Sequence, residues 1–67
     1  MITISINGTA HQLPDSTGVD ALIDEMGLTG KRIALERNGE IVPRSSFLQL
    51  MLEEGDKLEI VVAVGGG

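Results

Sequence analysis

The group in this sequence best suited to chemistry is the α-carboxylate of Gly67, which follows two further glycines, Gly65 and Gly66. A run of three glycines forms neither a stable helix nor a stable strand, because glycine loses the most backbone entropy on folding. Four extended residues from Val64 onward reach roughly 13 Å at about 3.3 Å each, far enough to enter a narrow active site. The pattern predicts a flexible tail over residues 64–67, presented by a folded domain over residues 1–63. An inert terminal tail is the alternative interpretation.

The other residue types that carry chemistry do not predict a site. The sequence has one histidine, His11, and no cysteine, which disfavours a metal site. Ser45 and Ser46 have no histidine in a plausible triad arrangement, and no glycine-rich phosphate loop is present to hold ATP. We therefore expect no catalytic site, no metal and no cofactor bound by this chain.

Length and charge restrict the possible partners. The chain has 67 residues, enough for one small domain, and a formal net charge of −5. This balance argues against nucleic acid, whose phosphates require a basic surface, and is compatible with steering toward a basic protein surface. No apolar run approaches the ~18 residues of a membrane span, so we expect a soluble, cytoplasmic protein that binds no membrane.

The first segment predicts a β-hairpin. Isoleucines alternate with polar residues over residues 1–6, as in a half-buried strand, and Asn7-Gly8 is a strong signal for a type I′ turn. The return strand covers residues 9–13. A two-residue turn would place Ile6 opposite Thr9, Ile4 opposite His11 and Ile2 opposite Leu13.

The next segment predicts an amphipathic helix. Its apolar residues have helical spacing: Val19, Leu22, Ile23 and Met26. Thr17 and Asp20 have the spacing of a capping box at the helix start. Gly27 is expected to end the helix, with Leu28 as the hydrophobic residue that follows.

The second half predicts another hairpin, a short helix and a last strand. A strand from Ile33 reaches a second turn at Asn38-Gly39, and residues 41–42 form its short partner, with Arg37 and Glu40 as a cross-strand ion pair. Ser45 is expected to cap a helical turn that extends to residue 52. The final strand covers residues 57–64.

These elements predict an α+β fold in which a mixed sheet of four to five strands wraps one main helix. The apolar density of the last strand fits a central position beside the first strand. This is the β-grasp arrangement of ubiquitin-like proteins.

Three stretches resemble the bacterial thiamine-biosynthesis sulfur carrier family. They are I-N-G at residues 6–8, E-R-N-G-E-I-V-P-R-S at residues 36–45 and E-G-D-K-L-E-I-V-V-A-V-G-G-G at residues 54–67. The resemblance covers nearly the whole chain, and its middle and terminal motifs are together specific.

The resemblance implies a carrier without catalytic activity of its own. A partner adenylyltransferase related to ubiquitin-activating enzymes would use ATP to adenylate Gly67, with Gly66 as the required neighbour. Sulfur from a persulfide donor would then replace AMP to give a thiocarboxylate, which would pass its sulfur to thiazole synthase. A sulfur carrier for molybdopterin or amino-acid biosynthesis is one alternative, and a β-grasp interaction module without carrier chemistry is another.

Several apolar residues could complete the core or form a docking surface for partners. For Phe47, Leu50, Met51 and Val62 the sequence leaves both possibilities open, and Val64 is a further docking candidate in the tail. For Leu48 and Leu52 we expect core packing.

Overall fold

A computed structural model describes residues 1–63, in which a five-stranded mixed sheet packs one face against a single α-helix. The elements are β1 Ile2–Ile6, β2 Thr9–Leu13, α1 Val19–Glu25, β3 Ile33–Arg37, β4 Glu40–Ile41, a 3₁₀ turn Arg44–Ser46, and β5 Lys57–Val62. The strand order is β2-β1-β5-β3-β4. Strands β1 and β5 are parallel and the remaining pairs antiparallel. The central position of the last strand, beside the first, is confirmed.

Both predicted hairpins are present. Strands β1 and β2 pair in the predicted register, with Ile6 opposite Thr9 and Ile4 opposite His11. Asn7 and Gly8 have φ angles of 50° and 84°, the positive values that a type I′ turn requires. The short strand of the second hairpin, β4, is Glu40–Ile41, which has the predicted two residues but begins one residue before the predicted range of 41–42.

The core lies between the sheet and the helix. Leu58 of β5 and Val19 of α1 are fully buried. The other buried apolar residues are Ile4, Ile6, Leu13, Leu22, Ile23, Leu35, Phe47, Leu52 and Ile60. The strand members of this set follow the period-2 alternation predicted from sequence.

The capping prediction at the start of α1 is wrong. The Thr17 hydroxyl donates to the Pro14 carbonyl at 2.6 Å, and the N-cap is Gly18, without a side-chain cap. The first helical amides instead donate to backbone carbonyls of the later loop, Val19 N to Leu50 O at 3.0 Å and Asp20 N to Phe47 O at 3.2 Å. Because these partners are distant in sequence, no local pattern indicates them.

The C-terminal end of α1 agrees with the prediction. Gly27 has a φ of 74°, its amide donates to the Asp24 carbonyl, and the Leu28 amide donates to the Ile23 carbonyl. This is the double hydrogen-bond pattern of a Schellman motif.

The short helical turn predicted between β4 and β5 is present, but its predicted cap and extent are wrong. It is the 3₁₀ turn Arg44–Ser46, which has Pro43 as N-cap without a side-chain cap and does not extend to Leu52. Helical spacing therefore does not apply to the residues that follow. Leu52 is buried as predicted, but Leu48, predicted for the core, is 80% exposed.

Candidate functional site

The candidate site is the end of β5, the strand that leads into the glycine tail. Strand β3 pairs with β5 over five positions, from Ile33 opposite Val62 to Arg37 opposite Leu58. One residue further, the Ala63 amide donates to the Arg32 carbonyl at 2.8 Å. The backbone is therefore held by the sheet up to the residue before Val64.

The tail itself, residues 64–67, lies outside the described residues. The flexibility predicted for it, the acceptor role of Gly67, the supporting roles of Gly65 and Gly66 and docking by Val64 therefore stay predictions. So does the division into a domain over residues 1–63 and a tail.

The first Asn-Gly turn fixes β5 from one side. Strand β1 pairs with β5 only at Ser5–Lys57 and Ile6–Leu58, and the chain then turns away. Beyond this point the side chain of Asn7 forms hydrogen bonds to β5 in place of the β1 backbone. Its Nδ2 donates to the Ile60 carbonyl at 2.9 Å, and its Oδ1 accepts from the backbone amide of Ile60 at 2.8 Å. This turn residue thus acts as an additional pairing position of the sheet.

The second Asn-Gly turn fixes the start of β5 from the other side. The backbone amide of Asn38 donates to the Lys57 carbonyl at 2.8 Å, and the side-chain Oδ1 of Asn38 accepts from the backbone amide of Lys57 at 2.9 Å. Asn38 Nδ2 donates to Asp56 Oδ1 at 3.2 Å. Both turns therefore restrain the strand that carries the tail.

Asp56 is the buried polar centre of this arrangement, with 5% of its surface exposed. Its Oδ2 accepts from Arg37 Nε at 2.9 Å and from the Glu53 amide at 2.8 Å. The predicted ion pair of Arg37 with Glu40 is wrong, although the two residues are opposite in the register. The Arg37 guanidinium instead pairs with Asp56 and with Glu53, where its charge compensates that of the buried carboxylate.

The network favours the charged forms of both Asp56 and Arg37. Burial raises the pKa of the Asp56 carboxyl, but hydrogen bonds from the Glu53 amide, Arg37 and Asn38 outweigh it, so the net pKa is lowered. The hydrogen bond to Asp56 is the main reason that the pKa of Arg37 is raised. The ion pair of Arg37 with Asp56 therefore connects the end of β3 to the residue before β5.

The residues for which the sequence left core packing and docking open occupy different environments. Phe47 is 8% exposed and belongs to the core, so for this residue the core alternative holds. Leu50 is half-buried and packs against the core. Met51 and Val62 are 45% and 42% exposed. Met51 bridges to Gly18 at the start of α1, whereas Val62 pairs with Ile33 at the end of β5.

A groove of about 550 Å³ lies between α1, the start of β3 and the 3₁₀ turn. Its apolar lining includes Ile23, Leu28, Ile33 and Phe47. Arg44 lies at this groove and donates from its guanidinium to the Lys31 carbonyl at 2.6 Å. The sequence allowed either a docking role or a backbone-carbonyl partner for Arg44, and the second is observed.

The opposite face of the sheet carries an exposed patch that the sequence analysis did not identify. We call it the outer-face patch and define it by five residues of β3, β4 and β5: Ala34, Glu36, Ile41, Glu59 and Val61. The register places Ala34 opposite Val61, and Glu36 opposite both Glu59 and Ile41. The period-2 alternation of β5 could have indicated it, since Glu59 and Val61 alternate with the buried Leu58 and Ile60 and must face outward.

Residues 1–63 contain neither a metal-binding cluster nor a membrane-spanning helix. No group of three or more histidine, aspartate or glutamate side chains in this part of the chain could hold a metal ion. No helix among the same residues is long and apolar enough to cross a membrane.

The five-stranded mixed sheet over one helix, with a glycine tail after its central strand, defines a β-grasp protein of the ubiquitin-like class. The model of the ThiS family matches residues 4–67, and the chain belongs to this family. The crystal structure of the thiamine biosynthesis protein ThiS from Geobacter metallireducens superposes with a TM-score of 0.82 at 25% identity, covering 98% of this chain and 100% of that one. The predicted family and the predicted β-grasp fold are therefore confirmed.

Two curated relatives are considerably longer than this chain. It is 48% identical over 62 residues to the thiazole synthase of Paramagnetospirillum magneticum, covering 92% of this chain and 19% of the relative. It is 33% identical over 64 residues to the thiazole synthase of Magnetococcus marinus, covering 96% and 20%. The chain thus spans about a fifth of the length of these synthases. By contrast, protein ycf40 of Porphyra purpurea matches almost end to end, with 32% identity over 98% of this chain and 93% of the relative.

Proposed function

We propose that this protein is a sulfur carrier of thiamine biosynthesis and that the α-carboxylate of Gly67 accepts the sulfur. The observation that carries the proposal is the ThiS family match over residues 4–67, which includes all three terminal glycines. The structural similarity to a thiamine biosynthesis protein supports the same pathway.

The chemistry explains why such a carrier needs activation. A carboxylate is a poor acylating agent, so a partner related to ubiquitin-activating enzymes first joins it to AMP from ATP. The acyl-adenylate has a good leaving group: the terminal sulfur of a persulfide donor attacks the acyl carbon and displaces AMP, which gives an acyl disulfide. A thiol then attacks the donor's sulfur in that disulfide, so that the S–S bond breaks, the thiocarboxylate is released and the thiol and donor are left as a mixed disulfide. Because glycine has no side chain, its carbonyl carbon is open to attack and can be held near ~3–3.5 Å from the nucleophile.

The folded domain contributes positioning and not catalysis. Strand β5 is fixed by its two neighbours and by the Asn7 and Asn38 side chains up to the residues before the tail. ATP is bound by the activating partner. The protein therefore acts as a cosubstrate that presents its tail successively to two enzymes.

Thiazole synthase is the proposed sulfur acceptor. Support comes from the two relatives named thiazole synthase, in which a segment similar to this chain is part of a longer polypeptide. Such an arrangement keeps donor and acceptor at a high effective concentration.

Intact-mass measurement tests the proposal. The chain is incubated with ATP, a persulfide donor, a thiol reductant and the activating enzyme, and we expect a gain of about 16 Da as sulfur replaces one oxygen. A variant that lacks Gly67 is the control and should keep its mass. The loaded carrier is then mixed with thiazole synthase and its remaining substrates, and the mass should return to the starting value. An unchanged mass of the complete chain in the first step would contradict the proposal.

A further inference from the structure

We propose that Arg44 is a positioning residue for the tail. Its guanidinium holds the carbonyl of Lys31 and thereby orients the next carbonyl, that of Arg32. The Arg32 carbonyl in turn binds the amide of Ala63, the last described residue before the tail. The inference rests on the proposed function, because it concerns how Gly67 is presented to the activating enzyme.

The last residues of β5 are supported by the sheet on one side. Within residues 1–63, the hydrogen bonds from the β1 side end at Ile60. Beyond this residue, β5 pairs with β3 as far as Val62. The Ala63 amide then donates to the Arg32 carbonyl at 2.8 Å. The point at which the tail begins therefore depends on the segment that leads into β3.

That segment is the loop over residues 26–32, between α1 and β3. Inside the loop, the Lys31 amide donates to the Leu28 carbonyl at 3.0 Å. The Lys31 carbonyl has a partner from another part of the chain, because Arg44 Nη2 donates to it at 2.6 Å. Arg44 thus connects the loop to the 3₁₀ turn.

The two loop carbonyls are coupled through a planar peptide group. The carbonyl oxygen of Lys31 lies in one plane with the nitrogen and the Cα of Arg32. A hydrogen bond that holds this oxygen restrains the plane, so that only the φ and ψ angles of Arg32 separate it from the Arg32 carbonyl. Arg44 therefore acts on the hydrogen bond of Ala63 without contacting the tail.

Arg44 is itself held against the core. Pro43 before it has a φ of −68°, and the amide of the buried Phe47 donates to the Arg44 carbonyl at 3.0 Å. Asp20 and Asp24 line the same groove as Arg44, yet none of the ion pairs among residues 1–63 includes this arginine. The guanidinium serves as a connection to the loop and not as a charge partner of α1.

A displaced tail should affect turnover more than binding. Misplacement of reacting atoms by about 1 Å can lower a rate about 100-fold. We therefore expect Arg44→Met to lower the kcat of adenylation by about tenfold and to leave the KM for the carrier within about twofold. If Arg44 instead contacted the enzyme as a docking cation, its loss would raise KM at an unchanged kcat.

ATP–pyrophosphate exchange catalysed by the activating enzyme, at varied carrier concentration, gives both constants without a sulfur donor. Arg44→Met keeps a long unbranched side chain and removes the donor. The matched control, Arg32→Met, removes the same charge from an exposed residue but keeps the carbonyl that binds Ala63. Melting curves establish that the variants are folded at the assay temperature.

Hydrogen exchange at the Ala63 amide, followed by NMR, measures the positioning itself. Exchange should be about fivefold faster in Arg44→Met, which corresponds to the net contribution of one hydrogen bond, and unchanged in Arg32→Met. Arg44→Lys retains a donor, so its exchange rate and its kcat should both lie between those of the wild type and Arg44→Met or equal one of them.

Three results would overturn the inference: unchanged exchange at Ala63 in Arg44→Met, a raised KM at an unchanged kcat, or an equal loss of kcat in Arg32→Met. No pyrophosphate exchange with the wild-type chain would reject the proposed function and the inference with it. Exchange at the same kcat in the wild type and Arg44→Met would reject the inference alone.

Discussion

The side chain of Asn7 forms two hydrogen bonds with the backbone of Ile60, one as donor at 2.9 Å and one as acceptor at 2.8 Å. The two residues are 53 positions apart in sequence. Their pairing joins the turn between β1 and β2 to the middle of β5, beyond the point where β1 can pair. A hairpin turn thus helps to hold the strand that leads into the tail.

Replacing Asn7 with Asp should therefore destabilise the protein. The carboxylate keeps the acceptor for the Ile60 amide but loses the donor to the Ile60 carbonyl, and two oxygens then face each other. We expect a loss of about 1–2 kcal/mol in the free energy of unfolding, measured by urea denaturation. Hydrogen exchange at the Ile60 amide should change less, because its acceptor is retained.

Asn7→Gly is the informative comparison. Glycine tolerates the positive φ of position 7 but removes both side-chain hydrogen bonds, so exchange at Ile60 should accelerate more than in Asn7→Asp. Equal protection of this amide in all three proteins would show that the Asn7 bonds contribute nothing to holding β5.

The ionisation of Asp56 predicts a specific loss of stability in acid. Its pKa is lowered in the folded protein, so the unfolded chain binds a proton at higher pH than the folded one does. The stabilisation by the Asp56 carboxylate is complete above the pKa of this group in the unfolded chain, about 3.9. It is lost as the pH falls through the lower pKa of the folded protein. We expect Asp56→Asn to lower the free energy of unfolding by about 2 kcal/mol at pH 7. Below pH ~4, the free energy of unfolding of this variant should fall less steeply with pH than that of the wild type.

Urea denaturation between pH ~2 and ~7 checks this prediction across the titration range. Glu25→Gln is the control, because it removes an exposed carboxylate of α1 and should follow the wild-type curve. Parallel curves for the wild type and Asp56→Asn would show that this carboxyl does not cause the acid sensitivity.

The parts of the fold that the sequence predicted are those governed by local rules. The hairpin register follows from the turn at Asn7-Gly8 and the alternation on either side of it, and the end of α1 follows from Gly27. The central position of β5 follows from its apolar density. Each signal lies within a few residues of the feature that it predicts.

The predictions that were wrong concern features without such a local signal. The start of α1 is capped by the carbonyls of Leu50 and Phe47, and Arg37 pairs with Asp56 rather than with its cross-strand neighbour. Both choices depend on contacts between segments distant in sequence. The alternation of β5 indicates only the part of the outer-face patch that lies on this strand, because Ile41 joins Val61 on one face only through the folded strand order β5-β3-β4.

The different environments of Phe47 and Met51 predict different losses of stability when each is replaced with alanine. Phe47 is 8% exposed and Met51 is 45% exposed, so truncation of Phe47 to alanine should cost about 3 kcal/mol or more through loss of buried surface. Met51→Ala should cost much less, because more of its side chain is in water. Urea denaturation gives both values.

The affinity of the same two variants for the activating enzyme tests the docking role that the sequence left open. If Met51 docks, Met51→Ala should weaken binding without a comparable loss of stability. A large loss of stability in Met51→Ala, or a small one in Phe47→Ala, would contradict the environments described above.

Extending the chain by one tryptophan after Gly67 should abolish sulfur loading. The extension converts the Gly67 carboxylate into an amide, which cannot be adenylated, and adds a bulky side chain to the segment that must enter the active site. The melting temperature should not change, because every residue of the described core lies between Ile4 and Ile60. Intact mass after incubation with ATP, the persulfide donor, a thiol reductant and the activating enzyme gives the readout, and a tryptophan added before Met1 controls for bulk alone. Loading of the C-terminally extended chain to the wild-type extent would rule out the Gly67 carboxylate as the acceptor.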